Sequence, residues 1–252
     1  MGFDPVLELA ENANTYTPLS STDERIVTDR WVLWMGRSDH PPWNVAQRFR
    51  FRGDELDEVR AEIHAALRAR GRTACTWEVG SSATPPDLVD RLLALGLVFE
   101  DDYFAVGMVL TEPPAQPPPE GIEVRRITTP DEALAAAKIA AVAFGMDEAV
   151  PGEIDPEGRV VRYLAYVDGE PVAQATASFS EHGVTLFGGA TLPAARGRGA
   201  YRALVAARWD DAVARGTPVL VTQAGAQSRP ILTRLGFREV CELRILVDAF
   251  GG

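Results

Sequence analysis

Basic charge is what this chain is short of: 25 lysines and arginines stand against 36 aspartates and glutamates, a formal net charge of -11 at pH 7. A balance of that sign excludes a general binder of nucleic acid or anionic membrane, since both ligands are polyanions. Basic partners and neutral metabolites suit it better. Cysteine is scarce too, with Cys75 and Cys241 each alone in an apolar, strand-like stretch. Such thiols fill cores, and their scarcity fits a reducing compartment. The three histidines, His40, His64 and His182, are too dispersed to form a cluster with metal-ligand spacing, so no metal is expected. No apolar run could span a bilayer, the first residues lack a basic start and a signal-peptide core, and Val6 stands where myristoylation needs Ser or Thr. The expectation is a cytoplasmic protein, monomer or homodimer, with no nucleic-acid or membrane partner.

Proline, by contrast, is concentrated. Residues 111–121 read TEPPAQPPPEG, which favours an extended, semi-rigid polyproline segment between two halves. The organisation expected is a first domain over 1–110, a linker over 111–120 and a second domain over 121–252.

The most informative run is TLPAARGRGAYRALVAARWDDAVARG, residues 191–216, which reads as a strand end, an arginine and glycine turn, and a helix. Backbone N–H groups in the first helical turn have no internal partner, and the peptide dipoles place partial positive charge there. Gly197 and Gly199 let the backbone approach a ligand closely, while Arg196 and Arg198 add charge and forked donors. Such a site fits a pyrophosphate. Along the helix from Ala200 to Arg215, Leu204, Val205, Ala207, Val213 and Ala214 are expected on the buried side, and Asp210, Asp211 and Arg215 on the other. The nucleotide P-loop pattern GxxxxGK[ST] is absent, and Arg-Gly-Arg-Gly is not the GxGxxG of dinucleotide folds.

The loop resembles the acyl-CoA-binding motif of the GCN5-related N-acetyltransferases: Arg or Gln, two residues, Gly, one residue, then Gly or Ala. Arg196 and Gly199 match, and Tyr201 departs from the sixth position. Downstream, TPVLVTQAG reads as a strand over 219–222, and SRPILTRLGF as a short helix ending in Leu235-Gly236-Phe237, an ending the family shares. Upstream, residues 122–127 read as a strand and Pro130 opens a helix. A three-stranded meander then runs over 160–191, turning at Asp168-Gly169 and His182-Gly183.

The resemblance implies an α/β (α+β) chain of GNAT fold: a central mixed, mostly antiparallel sheet flanked by helices, with acetyl-CoA as acyl donor. It places the donor on Thr191, Leu192, Arg196, Gly197, Arg198, Gly199, Ala200 and Tyr201. Ser228 is a further contact to the pantetheine or sulfur, or else only a cap of the short helix. In the family an amine attacks the thioester directly. Leu232 stands where many members carry a tyrosine acid, and the strand over 184–191 holds no acid or histidine, so the catalytic residues stay unknown; Glu181, His182 and Tyr201 are candidate bases. Glu148, Glu153 and Asp155 fall in a segment that often lines the acceptor pocket. They suit a cationic amine, and a solvated loop explains them equally well. The reading is a small-molecule amine N-acetyltransferase, with a catalytically silent CoA-binding protein or a peptide N-acetyltransferase as alternatives.

The first half echoes the second. Residues 68–110 repeat the order of 212–247: helix end, strand, loop with Ser and Pro, short helix, Leu-Gly, then two strands. Ahead of that echo a helix over 54–70 occupies the motif position, but Arg52-Gly53 is followed by Asp54, Glu55 and Asp57, which would repel phosphate. The first domain is expected to be a degenerate, partial GNAT-like copy that does not bind CoA in the usual way.

Overall fold

The computed structural model describes residues 4–251, the side chains of 101–103 excepted. Compactness divides the chain into two units that are not contiguous in sequence. The first comprises Met1–Met108, Gln223–Arg229 and Glu239–Gly252; the second comprises Val109–Thr222 and Pro230–Arg238.

The first unit opens with helix α1 (Pro5–Glu11) and strands β1 (Glu24–Val27), β2 (Val32–Met35) and β3 (Asn44–Gln47). Helix α2 (Leu56–Arg68), strand β4 (Ala74–Gly80), helix α3 (Leu88–Ala94) and strand β5 (Val98–Leu110) follow. Val59, Ile63 and Leu67 recur every fourth residue of α2, so one stripe of the helix is apolar, and all three are fully buried. They lie in a core with Phe49 and Trp77, whose rings stack at 4.7 Å. The sheet order is β1-β2-β3-β4-β11-β5, where β11 (Arg238–Ala249) comes from the end of the chain. It pairs antiparallel with β4 from Leu243↔Gly80 to Ala249↔Ala74. Buried Asp248 on β11 accepts from Arg60 Nε and Nη2 at 3.0 and 2.8 Å, and its Oδ2 lies 2.7 Å from His64 Nε2. That ties the strand to α2.

In the second unit β6 (Ile122–Arg126) leads to α4 (Pro130–Phe144), then β7 (Val160–Val167), β8 (Glu170–Ser180) and β9 (Gly183–Thr191). Next come α5 (Ala200–Ala214), β10 (Leu220–Ala224), whose last two residues count in the first unit, and α6 (Arg229–Arg234). Helix α4 starts where its sequence signals: Glu132 N–H donates to Thr129 Oγ1 at 3.3 Å, and Thr129 N–H returns the bond to Glu132 Oε2 at 3.0 Å. The meander runs as expected, with Asp168 and Gly169 in the left-handed conformations that a two-residue hairpin needs (φ 54° and 82°). Strand order is β10-β9-β8-β7-β6, with β9 and β10 parallel and the other pairs antiparallel. Because successive strand residues point to opposite faces, Tyr163 donates to Asp211 of α5 while Leu164 joins the core under α4.

Two expectations are corrected. Residues 98–110 and 238–249 each form one long strand instead of two, since neither stretch contains a turn signal strong enough to break it. On α5, Val213 and Ala214 are exposed and Asp211 is half-buried, while Arg208, Trp209 and Ala212 are buried. The alanines at 173, 175 and 177 of β8 are fully buried, and short side chains there leave room beneath the helix for larger groups.

Candidate functional site

The run from Thr191 to Tyr201 forms the junction between β9 and α5. Thr191 is the last residue of β9, and Leu192 N–H donates to Val172 O at 2.9 Å. A single turn over Pro193–Ala195 follows, and Arg196 then extends with φ -60° and ψ 150°. Gly197 and Gly199 both take left-handed angles, φ 79° and 92°, which a side chain would oppose. A Cβ on Gly199 would also stand 2.8 Å from Pro119 Cγ. Gly199 caps α5 with no side-chain acceptor, and the first turn holds no acid. The amides of Ala200, Tyr201 and Arg202 therefore present an uncapped helix N-terminus, with Arg196 exposed beside it.

The corresponding junction of the first half differs in its charges and hydrogen bonds. β3 and β4 are parallel with two register pairs, Val45↔Thr76 and Ala46↔Trp77, as β9 and β10 are at Val184↔Leu220 and Thr185↔Val221. Yet Glu55 Oε2 accepts from Arg52 N–H at 2.7 Å, and the Arg52 guanidinium donates to both Asp54 oxygens. That hydrogen bonding holds the Asp54 carboxyl below its ordinary range. This junction carries its own anions, whereas the start of α5 has no side-chain cap.

β9 and β10 keep a ladder for only those two pairs. Thr222 Oγ1 then donates to Leu186 O at 3.1 Å, while β9 runs on to Thr191. On its other edge, β9 carries a bulge: Gln174 faces Ala190 and Thr176 faces Phe187, so Gly188 and Gly189 stand opposite Ala175 alone. Gly188 is left-handed at φ 56°, and Gln174 Nε2 donates to its carbonyl oxygen.

The other named residues are dispersed. Arg198 donates to Asp168 at 3.2 Å, in the β7–β8 turn. Glu181 and His182 form the β8–β9 turn, with His182 Nε2 3.5 Å from Glu181 Oε1. Eight strand steps, about 25 Å at the usual rise, separate that turn from Thr191. Ser228 belongs to the first unit, where its Oγ donates to Gly225 O at 3.4 Å, whereas Leu232 belongs to the second unit and is buried. Glu148, Glu153 and Asp155 lie in the irregular segment after α4. Burial works to raise the Asp155 carboxyl, but N–H bonds from Glu157, Arg159 and Val160 outweigh it and hold the group low, so Asp155 organises its own loop.

Glu78 in the first unit escaped the sequence reading, although a lone acid in the apolar run ACTWEVG is its signal. Burial pushes its carboxyl up to about 7, against a hydrogen bond from Gln223, and its Oε2 is buried without a partner. The residues of 111–121 are less detached than a spacer: Ala115 N–H donates to Leu235 O at 3.0 Å, and Arg202 donates to Gln116 Oε1 at 2.9 Å. Among the described residues no group of three or more His, Cys, Asp or Glu is placed to hold a metal, and no helix is long and apolar enough to cross a membrane.

No protein-family model and no curated protein matches the sequence. Solved structures do match. A GCN5-related N-acetyltransferase from Kribbella flavida superposes with a TM-score of 0.77 at 19% identity, over 100% of this chain and 97% of its own. A tandem GNAT protein from the clavulanic acid biosynthesis pathway gives 0.63 at 15% identity over 98% and 94%, and a GCN5-related N-acetyltransferase from Sphaerobacter thermophilus 0.62 at 17% over 89% and 82%. The chain has the GNAT fold in a two-part arrangement: a mixed sheet flanked by helices, of α+β class.

Proposed function

We propose that the second half binds acetyl-CoA, with its pyrophosphate on the N-terminus of α5, and transfers the acetyl group to a primary amine of a small molecule. The observation that carries this reading is the open amide cradle behind the left-handed Gly197 and Gly199, with no acid in the first turn. Bound there, the thioester supplies an acyl carbon open to attack by an amine. Arg196 neutralises phosphate charge, and the loop fixes the donor, so that much of the rate comes from positioning. The bulge at Gly188 and Gly189 leaves a backbone group of β9 outside the ladder, a fitting donor for polarising a thioester carbonyl. The first half, where Glu55 takes the Arg52 amide and Asp54 pairs with the Arg52 guanidinium, serves as scaffold.

Thiol release from acetyl-CoA, followed over a panel of small amines and of peptides, tests the reading. Release driven by small amines is the expected result. Faster release with peptide amines would make the acceptor a peptide, and CoA binding without release on any acceptor would make the chain a silent CoA binder.

A further inference from the structure

The motif that the loop resembles carries Gly or Ala at its sixth position, and this chain carries Tyr201. The structure shows where the ring goes. A Cβ placed on Gly189 would stand 2.5 Å from Tyr201 Cε2 and 3.3 Å from Cδ2, so the ring lies in the recess that this glycine leaves on β9. Gly189 belongs to the bulge, whose other residue, Gly188, is held by Gln174. Behind the ring sits Arg208, a fully buried cation with its Cζ 5.8 Å from the ring centroid. Its Nε donates to Leu204 O at 2.9 Å and its Nη1 to Thr176 O at 3.3 Å, and the Tyr201 hydroxyl is a further hydrogen-bonding neighbour of the guanidinium. Thr176 flanks the bulge on β8. Burying a guanidinium without a carboxylate is costly, and desolvation lowers its pKa. What the arrangement achieves is a contact chain from the first turn of α5, through Tyr201, to the bulge, with Arg208 fixing the far side.

We propose that Tyr201 and Gly189 are a compensating pair: the bulky residue in the loop is accommodated by the missing side chain on β9. Together with Arg208 they set the spacing between the helix N-terminus that takes the pyrophosphate and the bulge beside the thioester. Tyr201, Gly189 and Arg208 are thus positioning residues for the donor. The inference rests on the acetyl-CoA reading above, but its packing half stands without it.

The test is a double-mutant cycle on the full chain, with Gly189→Ala, Tyr201→Ala and the double variant, plus Tyr201→Phe and Arg208→Met. Affinity for CoA is read by calorimetry and melting temperature by scanning calorimetry. Gly189→Ala is expected to weaken CoA about tenfold, and to change it less than about twofold once Tyr201 is alanine, because contacting residues do not add. Tyr201→Phe keeps the ring and is expected to retain affinity within about threefold, whereas Arg208→Met, which frees the ring, is expected to lose more CoA affinity than Tyr201→Phe does. Additive effects of Gly189→Ala and Tyr201→Ala on both CoA affinity and melting temperature would overturn the pairing. Coupled melting temperatures with unchanged CoA affinity in every variant would overturn the positioning role. A wild-type chain that binds no CoA would overturn the donor reading itself, while coupled melting would still support the packing of the pair.

Discussion

Replacing Gly199 with glutamate is expected to weaken acetyl-CoA binding at least about a hundredfold, a loss of roughly 2.8 kcal/mol. Three effects act in the same direction. The residue sits at φ 92°, where any side chain is strained by roughly 1–2 kcal/mol. Its Cβ would press on Pro119 Cγ at 2.8 Å. Its carboxylate would lie at the positive end of α5 and take up the amides a phosphate would use, as Glu55 does at Arg52 in the first half. Because the first two effects also disturb the loop, Arg196→Glu is the companion variant. Arg196 is exposed, so charge reversal there leaves packing intact and is expected to cost about tenfold in affinity with an unchanged melting temperature. If both variants bound acetyl-CoA as the wild type does, the loop would not be the donor site.

The second large effect concerns the strand that returns from the end of the chain. Asp248→Ala removes the acceptor of both Arg60 bonds and leaves the His64 contact empty inside the first unit. Breaking a buried pair from one side costs about 3 kcal/mol or more, which lowers the melting temperature by on the order of 10 °C. The pH dependence gives an independent reading. Burial alone would raise the Asp248 carboxyl, but the bonds from His64 and Arg60 overcome it and bring it to about 2, below the ordinary 3.8. Since the native state holds its carboxylate more tightly than the unfolded chain does, this contribution is fully present above pH 3.8 and is lost as pH falls towards 2. Urea unfolding at a series of pH values should show the wild-type and Asp248→Asn curves converging over that window. Parallel curves would show that Asp248 does not anchor β11.

Much of this architecture could be read from local signals, because those signals are dense where the chain turns. Thr129, Pro130 and Glu132 mark the start of α4, Asp168-Gly169 marks a hairpin, and Gly197 and Gly199 mark the approach to α5. The acids after Arg52 were visible as negative charge at a helix start, and their pairing with the Arg52 amide and guanidinium is what the structure adds. What escaped the sequence depends on register and on distant partners. Gly189 looks like any strand glycine until the bulge turns it towards Tyr201, twelve residues on. Arg208 is a polar residue on a helix with a weak apolar stripe, so its burial follows from the small residues of β8 and not from α5 itself. The pairing of β11 with β4 joins segments more than 160 residues apart. Glu78 is set apart by the burial of its carboxyl, a tertiary property.

A crystal structure grown with acetyl-CoA locates the donor directly. The expected result is a pyrophosphate whose oxygens accept hydrogen bonds from backbone N–H groups between Gly197 and Arg202, with the thioester beside the Gly188–Gly189 bulge. A pyrophosphate seated at Arg52–Glu55 in the first half, or anywhere else away from the start of α5, would contradict the assignment.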